Sequence, residues 1–556
     1  GNSTTRYSWQ VDVSNRASDW FYLNIANETD EDQLPDNSTA DRFIDDSLEA
    51  GSEPVITMPI IGWTPFDRIT RWGFSVALYG EQEWTECTYT GWPPWCRPDA
   101  GNGFHTDGTP VTGNNPFDTS ITITPSFVTD WMAHIASRVG TAGSGGVRFF
   151  ALDNEPMLWN STHRDVHPVE VNYAEIWQRT LDYAFAIKTQ DPAALVFGPV
   201  VWGWCAYFYS AADGCVPGLD YNTYGPFLEW YLQQVKDYET AYGVRLVDYL
   251  DIHYYPQANN VALSDDESPG TAAVRLRSVK SLFDPTYSDE SWVGQPVQLI
   301  PRMKNIIAQK APDTKLAITE YNWGNDNGLP SALAQAEVLA IFAREGIDLA
   351  TRWTVPEVGS RVEDAFKIHL NYDGTGGRIE GDSVQAVSSN INDVAIYSFH
   401  GTDAKLYVLL FNKSLTDQEA DVQVTGGITG SIHLWGFDAE SQLTYKGTAT
   451  ASPSGFSLTM PSYSVRLAVT TLNCTLPSQA TNLHLQKSDS SLLLTWTNVS
   501  EATDYVIYED ASPSGSFPTQ TGSATNGSTG ILIPAPTGSR FYLVAARNAC
   551  GESSKK

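Results

Sequence analysis

The stretch Val147–Pro156, read as Val-Arg-Phe-Phe-Ala-Leu-Asp-Asn-Glu-Pro, decides the fold. Its first six residues form an apolar run of the kind buried on both faces of a parallel sheet. The run stops at an Asp-Asn-Glu-Pro turn that places Glu155 at a strand's C-terminal end. Five further runs have the same character: Pro54–Ile61, Ala194–Val201, Val247–Tyr255, Lys315–Tyr321 and Leu349–Val355. Amphipathic stretches separate them. Pro125–Val139 begins with Pro behind a capping Thr124, Asn172–Thr189 has helical spacing, and Ser331–Glu345 follows Pro330. Strand–helix units repeated in this way predict an α/β fold with a parallel sheet, closed as a barrel.

The character changes near Val384. Short alternating strands separated by Gly, Ser and Thr take over, among them Val394–Phe399, Lys405–Lys413 and Ser464–Leu472. They predict a β-sandwich over 381–472, after a barrel domain over 1–380. A second all-β segment, 473–556, contains Leu494-Thr495-Trp496, Tyr505–Tyr508 and Tyr542–Ala546. It resembles a fibronectin type III module with Trp496 in its core.

Composition narrows the chemistry. The 556 residues carry 65 acidic and 34 basic side chains, a net charge of −31. Nucleic acids, anionic membrane surfaces and polyanionic substrates are therefore repelled. No run approaches the ~18 apolar residues of a membrane span. Aromatic residues make up 12%, including 18 Trp; most such rings fill cores, but flat faces outside a core are what sugar rings stack on. Six cysteines lie at 87, 96, 205, 215, 474 and 550. Six allow fifteen pairings. The two close pairs and one distant pair read as three disulfides, Cys87–Cys96, Cys205–Cys215 and Cys474–Cys550, of an oxidising compartment; buried free thiols are the other reading.

The second chemical signal is Thr319–Trp323, Thr-Glu-Tyr-Asn-Trp, at the end of another strand. Two strands separate it from Glu155, so Glu155 and Glu320 face each other across the barrel mouth. Barrel enzymes do chemistry on that face. Two opposed carboxylates can cleave a glycosidic bond, one protonating the leaving oxygen while the other attacks the anomeric carbon or activates water. Either Glu alone would be an ordinary ion-paired strand-end residue. Glu357, two residues beyond the last strand, is the rival carboxylate. His163 and His167 lack the Glu of a zinc-protease helix. There is no Gly-x-Ser-x-Gly elbow, phosphate loop or dinucleotide fingerprint. The loop Asn325–Gly328 is rich in oxygen donors for Ca²⁺ but lacks EF-hand spacing.

With these residues in place the chain resembles glycoside hydrolase family 44, a clan A family of endo-β-1,4-glucanases. The matching stretches are Thr5–Trp9, Asp19–Tyr22, Pro59–Trp63, Gly73–Val76, Asp153–Pro156, Asp251–Pro256 and Thr319–Trp323. The resemblance implies a (β/α)8 barrel, a retaining mechanism, Glu155 as acid/base and Glu320 as nucleophile. It implies that Asn154 binds the sugar 2-hydroxyl and that His253 and Tyr255 orient Glu320. It also implies that Trp353 floors the cleavage subsite, with Trp20 and Trp292 as stacking platforms. It counts the six strands as the third to eighth, so the first two are expected to be absent from a chain that starts within them. A β-1,4-glucan is the expected partner of a secreted, extracellular monomer. No cofactor is expected for catalysis, a structural Ca²⁺ follows only by family analogy, and metal ligands are unassigned. Xyloglucan, xylan or mannan specificity is the nearest alternative, and a non-catalytic carbohydrate-binding protein is the alternative of another class.

Overall fold

The computed structural model describes all residues except 402–404, 453, 474–475, 489, 513–516, 526, 537, 549–550 and 554–556. The chain divides into two units. The first holds Gly1–Leu263, Lys280–Trp323 and Glu345–Val355; the second holds Ser264–Val279, Gly324–Arg344 and Pro356–Lys556.

The first unit is built on six parallel strands: β1 Val55–Met58, β2 Phe149–Leu152, β3 Leu195–Val201, β4 Tyr249–Tyr254, β5 Lys315–Tyr321 and β6 Leu349–Ala350. They lie in the order β6-β5-β4-β3-β2-β1, with β1 and β6 at the edges. Helices alternate with them along the chain: α1 Pro125–Val139, α2 Tyr173–Gln190, α3 Phe227–Tyr242 and α4 Leu299–Lys310. This is the strand–helix series of a TIM barrel, third to eighth strands. Five strands fall where the apolar runs predict them. The sixth is two residues rather than seven, because the polar Thr351 and Arg352 interrupt its run.

The two-residue period of a strand sorts the side chains. Phe149 and Ala151 of β2, Phe197 of β3, Tyr249 of β4 and Ala317 of β5 meet in one buried cluster. Phe197 stacks on Tyr249 with centroids 4.3 Å apart. Burying each such ring contributes about 1.5–3 kcal/mol. Asp251 and His253 follow Tyr249 on the same face of β4, so the series runs from apolar floor to polar mouth. Two β-bulges break the register. Val200 is extra on β3 opposite β4, and Thr319 is extra on β5 opposite β4.

The disulfides Cys87–Cys96 and Cys205–Cys215 are formed in this unit. Cys474 and Cys550 lie outside the described residues.

The second unit contains an eight-stranded antiparallel sheet. Its strands are β7 Asp382–Val384, β8 Val394–His400, β9 Lys405–Asn412, β10 Gln418–Gln423, β11 Ile428–Phe437, β12 Thr444–Ser452, β13 Gly455–Met460 and β14 Ser464–Leu472. The order is β7-β8-β9-β14-β11-β12-β13-β10. Leu406, Val408 and Leu410 alternate inward to meet Ile432, Leu434 and Phe456. The helix Leu329–Glu345 carries Glu337, whose buried carboxylate accepts from Lys413 Nζ and Tyr397 Oη, both at 3.0 Å. Residues from His484 onward form two antiparallel sheets of three and four strands. Leu494, Trp496 and Tyr505 sit in the core between them.

Candidate active site

Glu155 owes its position to three backbone devices. Asp153 and Glu155 both adopt left-handed backbone, with φ of 69° and 48°. Such conformations are costly for residues with a Cβ and persist only where neighbours enforce them. Here the Asp153 carboxylate accepts from the Ile60 and Ile61 amides at 2.8 and 3.0 Å and from the Asn154 amide at 2.8 Å. Burial pushes the Asp153 carboxyl up to about 6, despite these donors. The Glu155 amide donates to the Val200 carbonyl at 3.1 Å, the residue that bulges from β3.

Glu320 is aimed by the other bulge. A regular strand would turn Glu320 away from the face that Thr319 shares with Ala317. The extra residue brings Glu320 opposite His253 while Thr319 Oγ1 still donates to both Asp251 oxygens, at 2.8 and 2.9 Å.

The two carboxylates and His253 converge. One ligand atom from each of Glu155, His253 and Glu320 lies within 4.8 Å of the others. His253 Nδ1 is 2.8 Å from Glu155 Oε1 and 3.5 Å from Glu320 Oε2. Tyr255 Oη donates to Glu320 Oε2 at 2.8 Å. Tyr255 thus bonds Glu320, while His253 lies nearer Glu155 than Glu320.

The charges follow from this packing. Burial raises the Glu320 pKa, but its other interactions, the His253 charge and the Tyr255 hydroxyl among them, outweigh it and leave it below its ordinary value. Burial opposes a proton on His253, yet the Glu155 hydrogen bond and the charges of Glu320, Glu155 and Asp251 raise its pKa. Asp251, fully buried beneath this group, is pushed up to about 7 by burial. Asp251 and Asp153 are supporting carboxylates that the sequence reading left unassigned. Their positions, each two residues before His253 or Glu155, were the available signal.

The remaining candidates fall at varying distances from this centre. Asn154 Oδ1 accepts from the Gly1 nitrogen at 3.1 Å, and its Nδ2 donates to Asn2 Oδ1 at 3.3 Å. The Trp353 amide donates to the Tyr321 carbonyl at 3.0 Å, just beyond β6, and its ring is 39% exposed. Trp292 is exposed and donates to Gln257 Oε1 at 3.3 Å, while Gln257 Nε2 donates to the Tyr255 carbonyl at 2.8 Å. Trp20 is half-buried and donates to Glu86 Oε1 at 2.7 Å. Glu357, the rival carboxylate, is exposed and does not belong to the converging group. His163 is buried, and His167 bonds Glu175 at 2.8 Å.

Among the described residues, Glu155, His253 and Glu320 are the one group of three His, Cys, Asp or Glu side chains close enough to share an ion. The Asn325–Gly328 loop does not fit a Ca²⁺ cage. Asn325 Oδ1 accepts from the Asn327 and Gly328 amides, and Asp326 Oδ2 accepts from the Glu357 amide. No helix among the described residues is long and apolar enough to cross a membrane.

A pair of glutamates at the C-terminal ends of two strands of a TIM barrel, three strands apart, is the architecture of the barrel glycoside hydrolases. Residues 13–258 match the model of glycoside hydrolase family 44. Endoglucanase A of Paenibacillus lautus is 29% identical over 484 residues, covering 83% of this chain and 66% of that protein. The chain thus spans just under two thirds of that relative's length. The crystal structure of CelM2, a bifunctional glucanase-xylanase from a metagenome library, superposes with a TM-score of 0.80 at 38% identity, covering 85% of this chain and 91% of that one. A Paenibacillus polymyxa xyloglucanase of family 44 gives a TM-score of 0.68 at 26% identity, covering 85% and 92%. The chain belongs to glycoside hydrolase family 44.

Proposed function

We propose that this chain is a retaining endo-β-1,4-glucanase, with Glu320 as nucleophile and Glu155 as acid/base. The reading rests on the carboxylate pair. Oxygens of Glu155 and Glu320 lie within 4.8 Å, close to the ~5–5.5 Å of retaining glycosidases and short of the ~6.5–9.5 Å that admits a water. The lowered pKa of Glu320 keeps it anionic and able to attack the anomeric carbon. As that C–O bond forms, Glu155 gives its proton to the departing glycosidic oxygen. Glu155 then takes a proton from water, which displaces Glu320 from the sugar. Tyr255 steadies Glu320, His253 bridges the two carboxylates, and Asn154 binds the 2-hydroxyl. Trp353 floors the site, with Trp20 and Trp292 stacking sugars along the cleft. The steps use side chains alone and require no cofactor.

The substrate is a neutral β-1,4-glucan, consistent with the net charge of −31 and with relatives described as glucanases. Xyloglucan and xylan are favoured next, by the xyloglucanase and glucanase-xylanase neighbours. We further infer a secreted monomer, with a barrel over 1–380, a sandwich over 381–472 and a fibronectin type III-like spacer over 473–556. Two formed disulfides suit an oxidising compartment.

Reducing-end release from carboxymethylcellulose, xyloglucan, xylan and mannan tests the reading. Glu155→Gln and Glu320→Gln should each lower turnover on the preferred glucan by at least about 100-fold. Proton NMR of the first product should show the β anomer. Near-normal turnover by either variant, or initial release of the α anomer, refutes it.

A further inference from the structure

We propose that the disulfide-pinned segment 84–95 is a second glycan-binding surface, an aromatic platform that holds a neutral β-glucan chain outside the Glu155–Glu320 site. Within twelve residues, Trp84, Tyr89, Trp92 and Trp95 are 46%, 63%, 65% and 59% exposed. Large rings scattered singly over a surface need no explanation, but four on one short segment do.

The segment is built to hold them still. Cys87 is buried and bonded to Cys96. The helical turn Glu86–Thr90 has a reciprocal cap between Thr85 and Thr88. The buried Glu86 carboxylate accepts from Trp20 Nε1 at 2.7 Å, from the Arg97 amide at 2.8 Å and from Arg97 Nη1 at 3.0 Å. Trp92 follows Gly91 into left-handed backbone, with φ of 61°, and its amide donates to the Cys87 carbonyl at 2.9 Å. A bulky residue there is strained, and Pro93 and Pro94 stiffen the chain between Trp92 and Trp95. A backbone fixed in advance loses little freedom on binding.

Contacts connect the segment to the catalytic mouth. Asn154 Nδ2 donates to Asn2 Oδ1, and Asn2 Nδ2 donates to Asp19 Oδ2 at 3.0 Å. Trp20, next in sequence, meets Tyr89 edge-on at 6.0 Å, and Tyr89 meets Trp84 at 6.4 Å. A polymer leaving the mouth on this side would run onto the rings.

The surroundings select the occupant. Glu81 and Glu83 flank the segment and the chain is strongly negative, which disfavours polyanions. No Leu, Ile, Val or Met lies within 84–95, so the surface offers aromatic faces without the aliphatic filling of a protein interface. A neutral sugar chain, apolar on its C–H faces and polar at its edges, fits it. The inference rests on the glycanase reading only for the identity of the glycan.

The test pairs binding with turnover, using Trp92→Ala/Trp95→Ala and Trp92→Phe/Trp95→Phe. Affinity electrophoresis through hydroxyethylcellulose and through xyloglucan reads binding. Hydrolysis of an aryl cellobioside reads the catalytic site. The Ala variant should bind the polymer about 5- to 10-fold more weakly, and the Phe variant within about twofold of the parent. Both should keep aryl-cellobioside turnover within about twofold of the parent. Equal retardation of parent and Ala variant overturns the proposal, as does a parent not retarded by either polymer. Conversion of a dimeric parent to a monomer by the Ala substitutions overturns it too, by assigning the rings to self-association. A parent that is retarded but hydrolyses nothing leaves the platform standing and removes the glycanase reading instead.

Discussion

Replacing Asp251 with Asn removes a carboxylate that has no access to solvent and sits directly beneath the catalytic pair. Burial, with the Glu320 charge adding to it, lifts the Asp251 carboxyl from 3.8 to about 7 against the opposing pull of His253 and Thr319. Between those values the folded protein holds a proton that the unfolded chain has released. Stability therefore falls as pH rises through the window from about 4 to about 7. A span of about 3 pH units at about 1.36 kcal/mol per unit amounts to roughly 4 kcal/mol. Asn cannot titrate, so the variant lacks this slope. The stability of the parent relative to Asp251→Asn should thus decrease by about 4 kcal/mol between pH 4 and pH 8. For a unit of this size that is a relative change of roughly 8 °C in melting temperature. Differential scanning calorimetry of both proteins at half-unit pH steps reads it, because titrating groups not coupled to Asp251 cancel in the difference. A gap between the two melting temperatures that stays constant within about 2 °C over that range would show that Asp251 ionises as freely when folded as when unfolded.

Tyr255→Phe removes a donor that favours the ionised Glu320. Its pKa should rise, so the acid limb of kcat/KM moves to higher pH. Low-pH activity should fall by about tenfold or more and alkaline activity much less, which a pH–rate profile measures. Lys413→Met strips the buried Glu337 of its cation and should cost about 3–5 kcal/mol, visible as an earlier urea transition of the second unit. Arg6→Met, which removes two bonds to buried Asp165 and one each to Thr119 and Ser120, should cost a similar amount in the first unit. Its calorimetric transition reports that loss.

The parts of the fold that were legible in the sequence are those governed by repeating pattern. Apolar runs gave the boundaries of β5 to the residue, and Pro125 with its preceding Thr gave those of α1. Glu155 and Glu320 stood out because each follows a strand, and strand ends carry chemistry in a barrel. What the pattern could not carry was register. Gly198-Pro199 inside a central strand is a bulge signal, but nothing in Ile318–Glu320 announces one, because an extra residue changes pairing without changing composition. The partner of His253 was missed for that reason: the choice between Glu155 and Glu320 depends on sub-ångström aim rather than on spacing. Leu349–Val355 failed as a full strand because its apolar residues are interrupted by Thr351 and Arg352. Asp251 was hidden in plain view, since an Asp within an apolar run reads as a surface residue until the strand on its other side is placed.

The extra residue on β5 separates two properties that are often coupled in enzymes of this shape. Glu320 is placed by strand pairing inside the sheet, and of the loop residues beyond β4 it is Tyr255 that bonds it. Changes in those loops that keep Tyr255 can therefore reshape the rim while leaving Glu320 pointed at the same spot. Deleting Thr319 alone would put Glu320 directly behind Ile318, still opposite His253 but without the Thr319 Oγ1 bonds to Asp251. Variation around this centre is thus freer at the rim than in the paired strands beneath it.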